Sequence, residues 1–294
     1  GNNNPAKREQ VKTAILNEDD ASFEKLSTID SPLQLGYGII SQADILATDI
    51  HYASDRTRFM LRLNEQLAPP LPEALPISSP LAGEFNVYNT LAAISAALAV
   101  GAGSDAIVEG MEQLEPINGR MERIDKGQPF TVIVDFAHTP NALLQAIEAA
   151  RGMTDGRVIT VFGSAGKRDI SKRSQMAQIS AQYADLSVLT AEDPRTDSLD
   201  EILQIMADGS RHAGGIEGKS FWRVPDRGNA IYFGLTLAEP GDLVLVCGKG
   251  HEQSMCFGTI EYPWDDRTAT EIALEALAEG TSMPDLGLPT YEGS

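Results

Sequence analysis

The chain has 294 residues, 42% of them hydrophobic, and a formal net charge of −19 at pH 7. At about 100–200 residues per domain this length predicts two domains, and a field of that sign repels nucleic acid and anionic membrane and argues against both as partners. Two cysteines, Cys247 and Cys256, are too few for a disulfide framework or a four-thiolate metal site and read as small buried apolar residues.

No apolar run approaches the ~20 residues of a membrane span. The polar start, Gly1-Asn2-Asn3-Asn4-Pro5, has no leader pattern, so a cytoplasmic protein without membrane insertion is expected. In chain order, residues 11–16, 33–39 and 45–52 read as strands, and the period-two alternation of residues 58–63 predicts an edge hairpin. The Pro-rich residues 67–80 read as a long loop. Residues 87–100 form an Ala-rich helical pattern closed by Gly101 and Gly103, and residues 105–114 a second helix. The pattern breaks at residues 116–119, so the boundaries are set as 1–116, 117–280 and a disordered polar tail, 281–294.

From residue 131 strands and helices alternate. The strands are expected at 131–136, 157–163, 186–191, 221–224 and 242–247, the helices at 141–151, 172–183, 199–210, 227–237 and 268–277. The strand runs are β-branched and apolar on both faces, as a parallel sheet covered by helices requires. This is a doubly wound α/β domain, and ligands of such sheets sit beyond the carboxyl ends of the strands.

Chemical groups concentrate at those ends. After the first strand come Asp135, His138 and Pro140, and after the second Gly163, Gly166, Lys167, Arg168 and Asp169, with Lys172 and Arg173 beyond. After the third come Glu192, Asp193, Pro194 and Arg195, and after the fifth Gly248-Lys249-Gly250-His251-Glu252. A cleft carrying both charge signs suits a zwitterion such as an amino acid, with arginines on carboxylates and acids on amines. The stretch from Ala213 to Ser220 nearly fits a phosphate loop, but a helix precedes it and a strand follows, the reverse of what such a loop needs, so it reads as a surface turn. Gly163 to Lys167 has the right context but is short, and could still bind an anion at a helix N-terminus. Four scattered histidines and no Gly-x-Ser-x-Gly elbow leave zinc and serine-triad chemistry without support.

Taken in order, Asn86-Val87-Tyr88-Asn89, Gly119-Arg120-Met121-Glu122-Arg123, Asp135-x-x-His138-x-Pro140, the Gly163 to Arg173 run, Asp193-Pro194-Arg195 and Gly248-Lys249-Gly250-His251-Glu252 resemble the Mur ligases. Within them the match is to the branch that adds a diamino acid to UDP-N-acetylmuramoyl-L-alanyl-D-glutamate. The resemblance runs from about Val11 to about Leu277 and implies a partial central ATPase domain followed by a Rossmann-like amino-acid-binding domain. It places the phosphate loop, most magnesium ligands and the UDP-binding domain before Gly1, so the chain alone is expected to be inactive and no residue is assigned a catalytic role. Lys7 is the candidate for the family's carbamylated lysine, but its spacing to Asn17 is short and the role is not carried over.

The implied reaction uses ATP and Mg2+ to make an acyl phosphate, which the diamino acid's amine attacks. By motif, Asn89, Arg120, Asp135 and His138 would bind ATP, with Asp135 on the ribose, and Arg168, Glu192, Asp193, Pro194, Arg195, Gly248 and Glu252 would hold the diamino acid. Arg195 suits the second carboxylate of meso-diaminopimelate, the substrate expected here, whereas Glu192 and Asp193 stand where that branch usually has Asp and Asn and pull toward an amine. Lysine or ornithine as substrate, a folylpolyglutamate- or cyanophycin-type sibling ligase, and a non-catalytic amino-acid-binding module are the alternatives.

Overall fold

The computed structural model describes residues 12–53, 56–64, 67, 72–81, 83–115 and 117–291. The chain divides into two compact units, Gly1–Glu115 and Pro116–Ser294.

In the first unit, β1 (Thr13–Asn17), β2 (Leu33–Gly38) and β3 (Ile45–Tyr52) run parallel, and β4 (Thr57–Leu63) and β5 (Ala74–Ser79) continue the sheet antiparallel, in the order β1-β2-β3-β4-β5. The alternation of β4 buries Phe59, Leu61 and Leu63 against Val87, Leu91 and Ile94 of helix α2 (Glu84–Ala99), with Ile107 of α3 (Ser104–Glu112) closing the same core. Two expectations change here. The Pro-rich stretch contains a strand, β5, because Pro76 falls on a strand paired on one side only, where a missing N–H breaks no second ladder. With β5 at the edge, β4 is an inner strand. A one-turn helix, α1 (Phe23–Leu26), follows β1. Between them, Asp19 accepts the backbone N–H groups of Ile39, Ile40 and Ser41 at 2.7–3.1 Å and the Tyr88 hydroxyl at 3.1 Å. Burial raises its pKa, but the Ser41 side chain and the three backbone amides outweigh burial and hold it at about 2.

The second unit contains β6 (Glu122–Arg123), β7 (Thr131–Asp135), α4 (Pro140–Arg151), β8 (Val158–Phe162), α5 (Ser171–Tyr183), β9 (Leu186–Leu189), α6 (Leu199–His212), β10 (Phe221–Arg223), α7 (Arg227–Thr236), β11 (Leu243–Cys247), the hairpin β12 (Ser254–Phe257) and β13 (Ile260–Pro263), and α8 (Asp266–Glu279). The sheet order is β10-β9-β8-β11-β7-β6, parallel except for β6. Val132 and Val134 of β7 and Val244 and Val246 of β11 share one core cluster with Ala230 and Ile231 of α7 and Ala273 and Leu274 of α8. The alternate residues, Ile133 and Leu245, are equally buried and face the other way. Both faces are covered, and the unit is the mixed α/β fold that the sequence pattern predicts.

The expected disordered tail is ordered as far as residue 291. Met283 and Leu288 join the core cluster, the Tyr232 hydroxyl donates to the Thr281 carbonyl at 2.8 Å, and the Thr290 hydroxyl donates to Asp226 at 2.9 Å. A polar composition conceals two apolar anchors, which suffice to lay the segment along α7 and α8. The short β6 and the β12–β13 hairpin also escape a periodicity reading, being only 2 and 4 residues per strand.

One ion pair ties the layers together. Arg227, at the start of α7, is 0% exposed and donates to both carboxylate oxygens of Asp266 at 2.7 Å, to the Ala191 carbonyl at 3.0 Å and to the Cys247 carbonyl at 2.9 Å. The Trp264 indole N–H donates to the same Asp266 at 2.7 Å. Arg227→Met leaves Asp266 buried and uncompensated. The expected cost is about 3–5 kcal/mol, measured by urea unfolding followed at Trp222 and Trp264.

Candidate functional site

Four strands of the second unit end on one rim, and the loops that leave them enclose a pocket of about 190 Å³. Phe136 and His138 come from the loop after β7, Ser164 to Lys172 from the loop after β8, Glu192, Asp193 and Arg195 from the loop after β9, and Gly248 and Glu252 from the loop after β11. Arg168, Arg195 and Glu252, which must converge if the expected site exists, all line it.

The loops are locked to one another. The Gly166 N–H donates to the Asp193 carbonyl at 2.8 Å, and a Cβ on Gly166 would stand 1.9 Å from the Pro194 carbonyl oxygen, so only glycine permits this approach. Asp197 accepts the Lys167 backbone N–H at 3.0 Å and pairs with Arg173 at 2.7 Å and the Lys167 ammonium at 3.1 Å. The Lys167 amide first, and then these two cations, hold its carboxyl well below the usual range. Arg195 has a left-handed backbone, φ 54°, held by a hydrogen bond from its N–H to the Cys256 carbonyl at 2.9 Å and one from Gly258 to its own carbonyl at 2.7 Å. Its neighbours thus keep a non-glycine residue in a strained region, and its side chain lines the pocket. In the stretch considered for an anion, the Lys167 amide donates to Asp197, and the Ser171 amide at the start of α5 donates to Asp169.

The pocket carries two signs of charge. Exposed Arg168 makes no ion pair among the described residues, and Lys172 stands beside it. Asp169, Glu192, Asp193 and Glu252 bring the negative charge to the same lining. Asp193 pairs with Arg195 at 3.5 Å and with Lys249 at 2.8 Å, and Lys249 reaches Glu252 at 2.6 Å. Glu192 is 7% exposed, and among the described residues its Oε2 has no hydrogen-bond partner. That oxygen lies 3.0 Å from where a Cβ on Gly248 would be, and Gly248 has φ 118°, so a side chain at 248 would be strained and would strike Glu192. Burial raises the Glu192 carboxyl to about 7, against the opposing pull of Arg227 and Lys249.

The expected nucleotide residues divide. Arg120 lies with its guanidinium 4.4 Å from the Phe136 ring centroid, and the His138 and His251 rings stand 4.4 and 4.8 Å from the same ring. Asp135 is buried, and its carboxylate accepts the Met121 and Ala137 N–H groups at 2.8 Å each. These two bonds tie the end of β7 to the segment before β6 and to the start of its own loop. Burial raises the Asp135 pKa, and those amides counter the rise. Asn89 is exposed on α2 in the first unit and donates to Asn86 at 3.1 Å. Pro194 does not line the pocket; it stacks its carbonyl against Gly166. Lys7 lies outside the described residues. The sequence reading assigned no role to Phe136, the platform for Arg120 and His138, to Lys249, whose partner Asp193 is far along the chain, or to Arg227, whose partner Asp266 is likewise distant. The stretch from Ala213 to Ser220 is, as expected, a turn between α6 and β10, with Gly214 and Gly218 at positive φ.

Residues 5–97 match the Mur ligase middle domain, and residues 119–250 match the Mur ligase glutamate ligase domain. The chain is 38% identical to the UDP-N-acetylmuramyl-tripeptide synthetase of Roseiflexus sp. strain RS-1, over 92% of this chain and 52% of that protein. It is 38% identical to the UDP-N-acetylmuramoyl-L-alanyl-D-glutamate–2,6-diaminopimelate ligase of Bacillus licheniformis, again over 92% and 52%. A solved structure of a UDP-N-acetylmuramoyl-L-alanyl-D-glutamate–2,6-diaminopimelate ligase superposes with a TM-score of 0.60 at 30% identity, over 91% of this chain and 54% of that one. The chain spans about half the length of the curated relatives it matches.

The buried Glu192 carboxyl titrates at about 7 in the fold against 4.5 for a free glutamate, so the unfolded chain releases this proton first as pH rises. Its contribution to stability is therefore intact below 4.5 and is lost as pH climbs to about 7. Glu192→Gln removes that loss. Urea midpoints measured across this range should show the variant gaining on the parent as pH rises, by up to about 3 kcal/mol.

Proposed function

We propose that this chain, which belongs to the Mur ligase family, is the rear part of an ATP-dependent ligase that adds a diamino acid, meso-diaminopimelate, to UDP-N-acetylmuramoyl-L-alanyl-D-glutamate during cell-wall synthesis. The observation that carries the reading is the two-signed pocket at the strand ends, lined by Arg168, Lys172 and Arg195 together with Glu192, Asp193 and Glu252. The cations suit the substrate's carboxylates and the acids its ammonium groups. The names of the similar proteins supply the substrate: a tripeptide synthetase and a 2,6-diaminopimelate ligase. Arg195 is the group for the second carboxylate, which lysine and ornithine lack.

In this reading the second unit holds the incoming amine where it can attack an acyl phosphate formed on the muramoyl dipeptide. Its contribution is alignment, worth several orders of magnitude in rate when the reacting atoms are held close. Of the residues expected on ATP, Arg120 and His138 fit, because they gather on Phe136 and leave a cationic, aromatic ledge for phosphate or base. ATP supplies the phosphoryl group that activates the carboxylate. Magnesium is assigned to none of the described residues, among which no group of three or more His, Cys, Asp or Glu is placed to hold a metal ion. No helix among them is long and apolar enough to cross a membrane.

Titration calorimetry of the chain with meso-diaminopimelate, lysine and ornithine tests the reading. Diaminopimelate should bind, with lysine and ornithine weaker by about tenfold or more, the value of one charge-assisted pair. Arg195→Ala should erase that preference. Binding of none of the three would point to a sibling ligase with a different amino acid.

A further inference from the structure

We infer that Lys249 is a positioning residue of the amino-acid pocket: its buried ammonium joins Asp193 to Glu252 and so fixes where the acidic wall stands and how much negative charge it shows to an incoming amine. The inference rests on the reading of the pocket as a diamino-acid site.

Lys249 is 2% exposed, and its ammonium lies 2.8 Å from Asp193 and 2.6 Å from Glu252. A side chain this deep gives up its hydration, a loss that these two carboxylates offset. Both partners line the pocket and come from different strand ends, so one side chain links the loop after β9 to the loop after β11. Asp193 is held from two further sides, by the Cys256 N–H at 3.1 Å and by Arg195 at 3.5 Å, whereas Glu252 pairs only with Lys249 among the described residues. Without Lys249, then, Glu252 loses the one cation that orients it, and three carboxylates crowd one wall.

The charge has a second effect. Glu192, whose Oε2 has no partner among the described residues, is faced by Arg227 from α7, by Lys249 and Glu252 from the loop after β11, and by Asp193 beside it. The Cys247 thiol and Asp266 lie behind Arg227. Lys249 and Arg227 are the cations that favour its ionised form. An amine binds best when Glu192 is ionised, so affinity should rise with pH, and removal of Lys249 should move that rise upward.

Calorimetry of the full chain with meso-diaminopimelate, lysine and ornithine between about pH 5.5 and 8.5 decides the matter. Lys249→Met should bind about tenfold or more weakly at neutral pH. Its affinity should rise with pH about half a unit or more above the parent, and Lys249→Arg should restore the parent profile. A folded Lys249→Met with the parent's affinity and profile overturns the inference and leaves the pocket reading intact. A parent that binds none of the three overturns both. Where Lys249→Met does not fold, the parent labelled with 15N-lysine decides: the slowly exchanging Lys249 ammonium signal should shift when diaminopimelate is added, and a fixed signal at saturation overturns the inference.

Discussion

Arg227 sets the distance between two strand ends. Its guanidinium, closed off from water, donates to the carbonyl of Ala191 beyond β9 and to that of Cys247 at the end of β11, while Asp266 neutralises it from α8. The next residues along the chain are Glu192 and Gly248, which face each other across the pocket floor. A buried pair of this kind adds little net stability relative to a well-packed apolar core. Its value is geometric: a planar fork with four of its five N–H groups engaged narrows the arrangements of the elements it joins.

The rest of the rim follows from that fixed floor. Gly166 packs on Pro194, Asp197 gathers Lys167 and Arg173, and Arg195 is held in a left-handed backbone by the β12–β13 hairpin. Each contact joins loops from different strands, so no loop is free to move alone. A pocket held in this way pays less ordering entropy when it takes a flexible, doubly charged substrate.

Charge is built locally against the background. The chain carries −19 overall, yet Arg168, Lys172, Arg195, Lys249 and Arg227 stand within or just behind one pocket. A negative field discourages anionic ligands at long range, and a short-range cluster overrides it only where water is thinned out. Burial, and then Asp193 and Glu252, raise the Glu192 carboxyl against the pull of Arg227 and Lys249, and among the described residues its Oε2 has no hydrogen-bond partner. A group kept in that state within a pocket is poised for a ligand.

The sequence alone determined the five parallel strands and five helices of the second unit, the sheet's parallel character, and the rim on which the chemistry lies, but not β6 or the β12–β13 hairpin. Those properties depend on neighbours two to four positions apart, as in the apolar runs of β8 and β11, and on turns that follow strands directly, as Glu192 follows β9. It also placed Arg168, Arg195 and Glu252 in one pocket. It misread β5, whose Pro76 is acceptable only because the strand lies at an edge, and the tail, whose Met283 and Leu288 become anchors only once α7 and α8 supply a surface. Tertiary structure alone decided that Asp135 turns inward to Met121 and Ala137, that Phe136 carries Arg120 and His138, and that Lys249 reaches Asp193. The physical reason is range: hydrogen bonds and ion pairs act over about 3 Å, and residues 56 positions apart, such as Asp193 and Lys249, meet at that distance only after the sheet has formed.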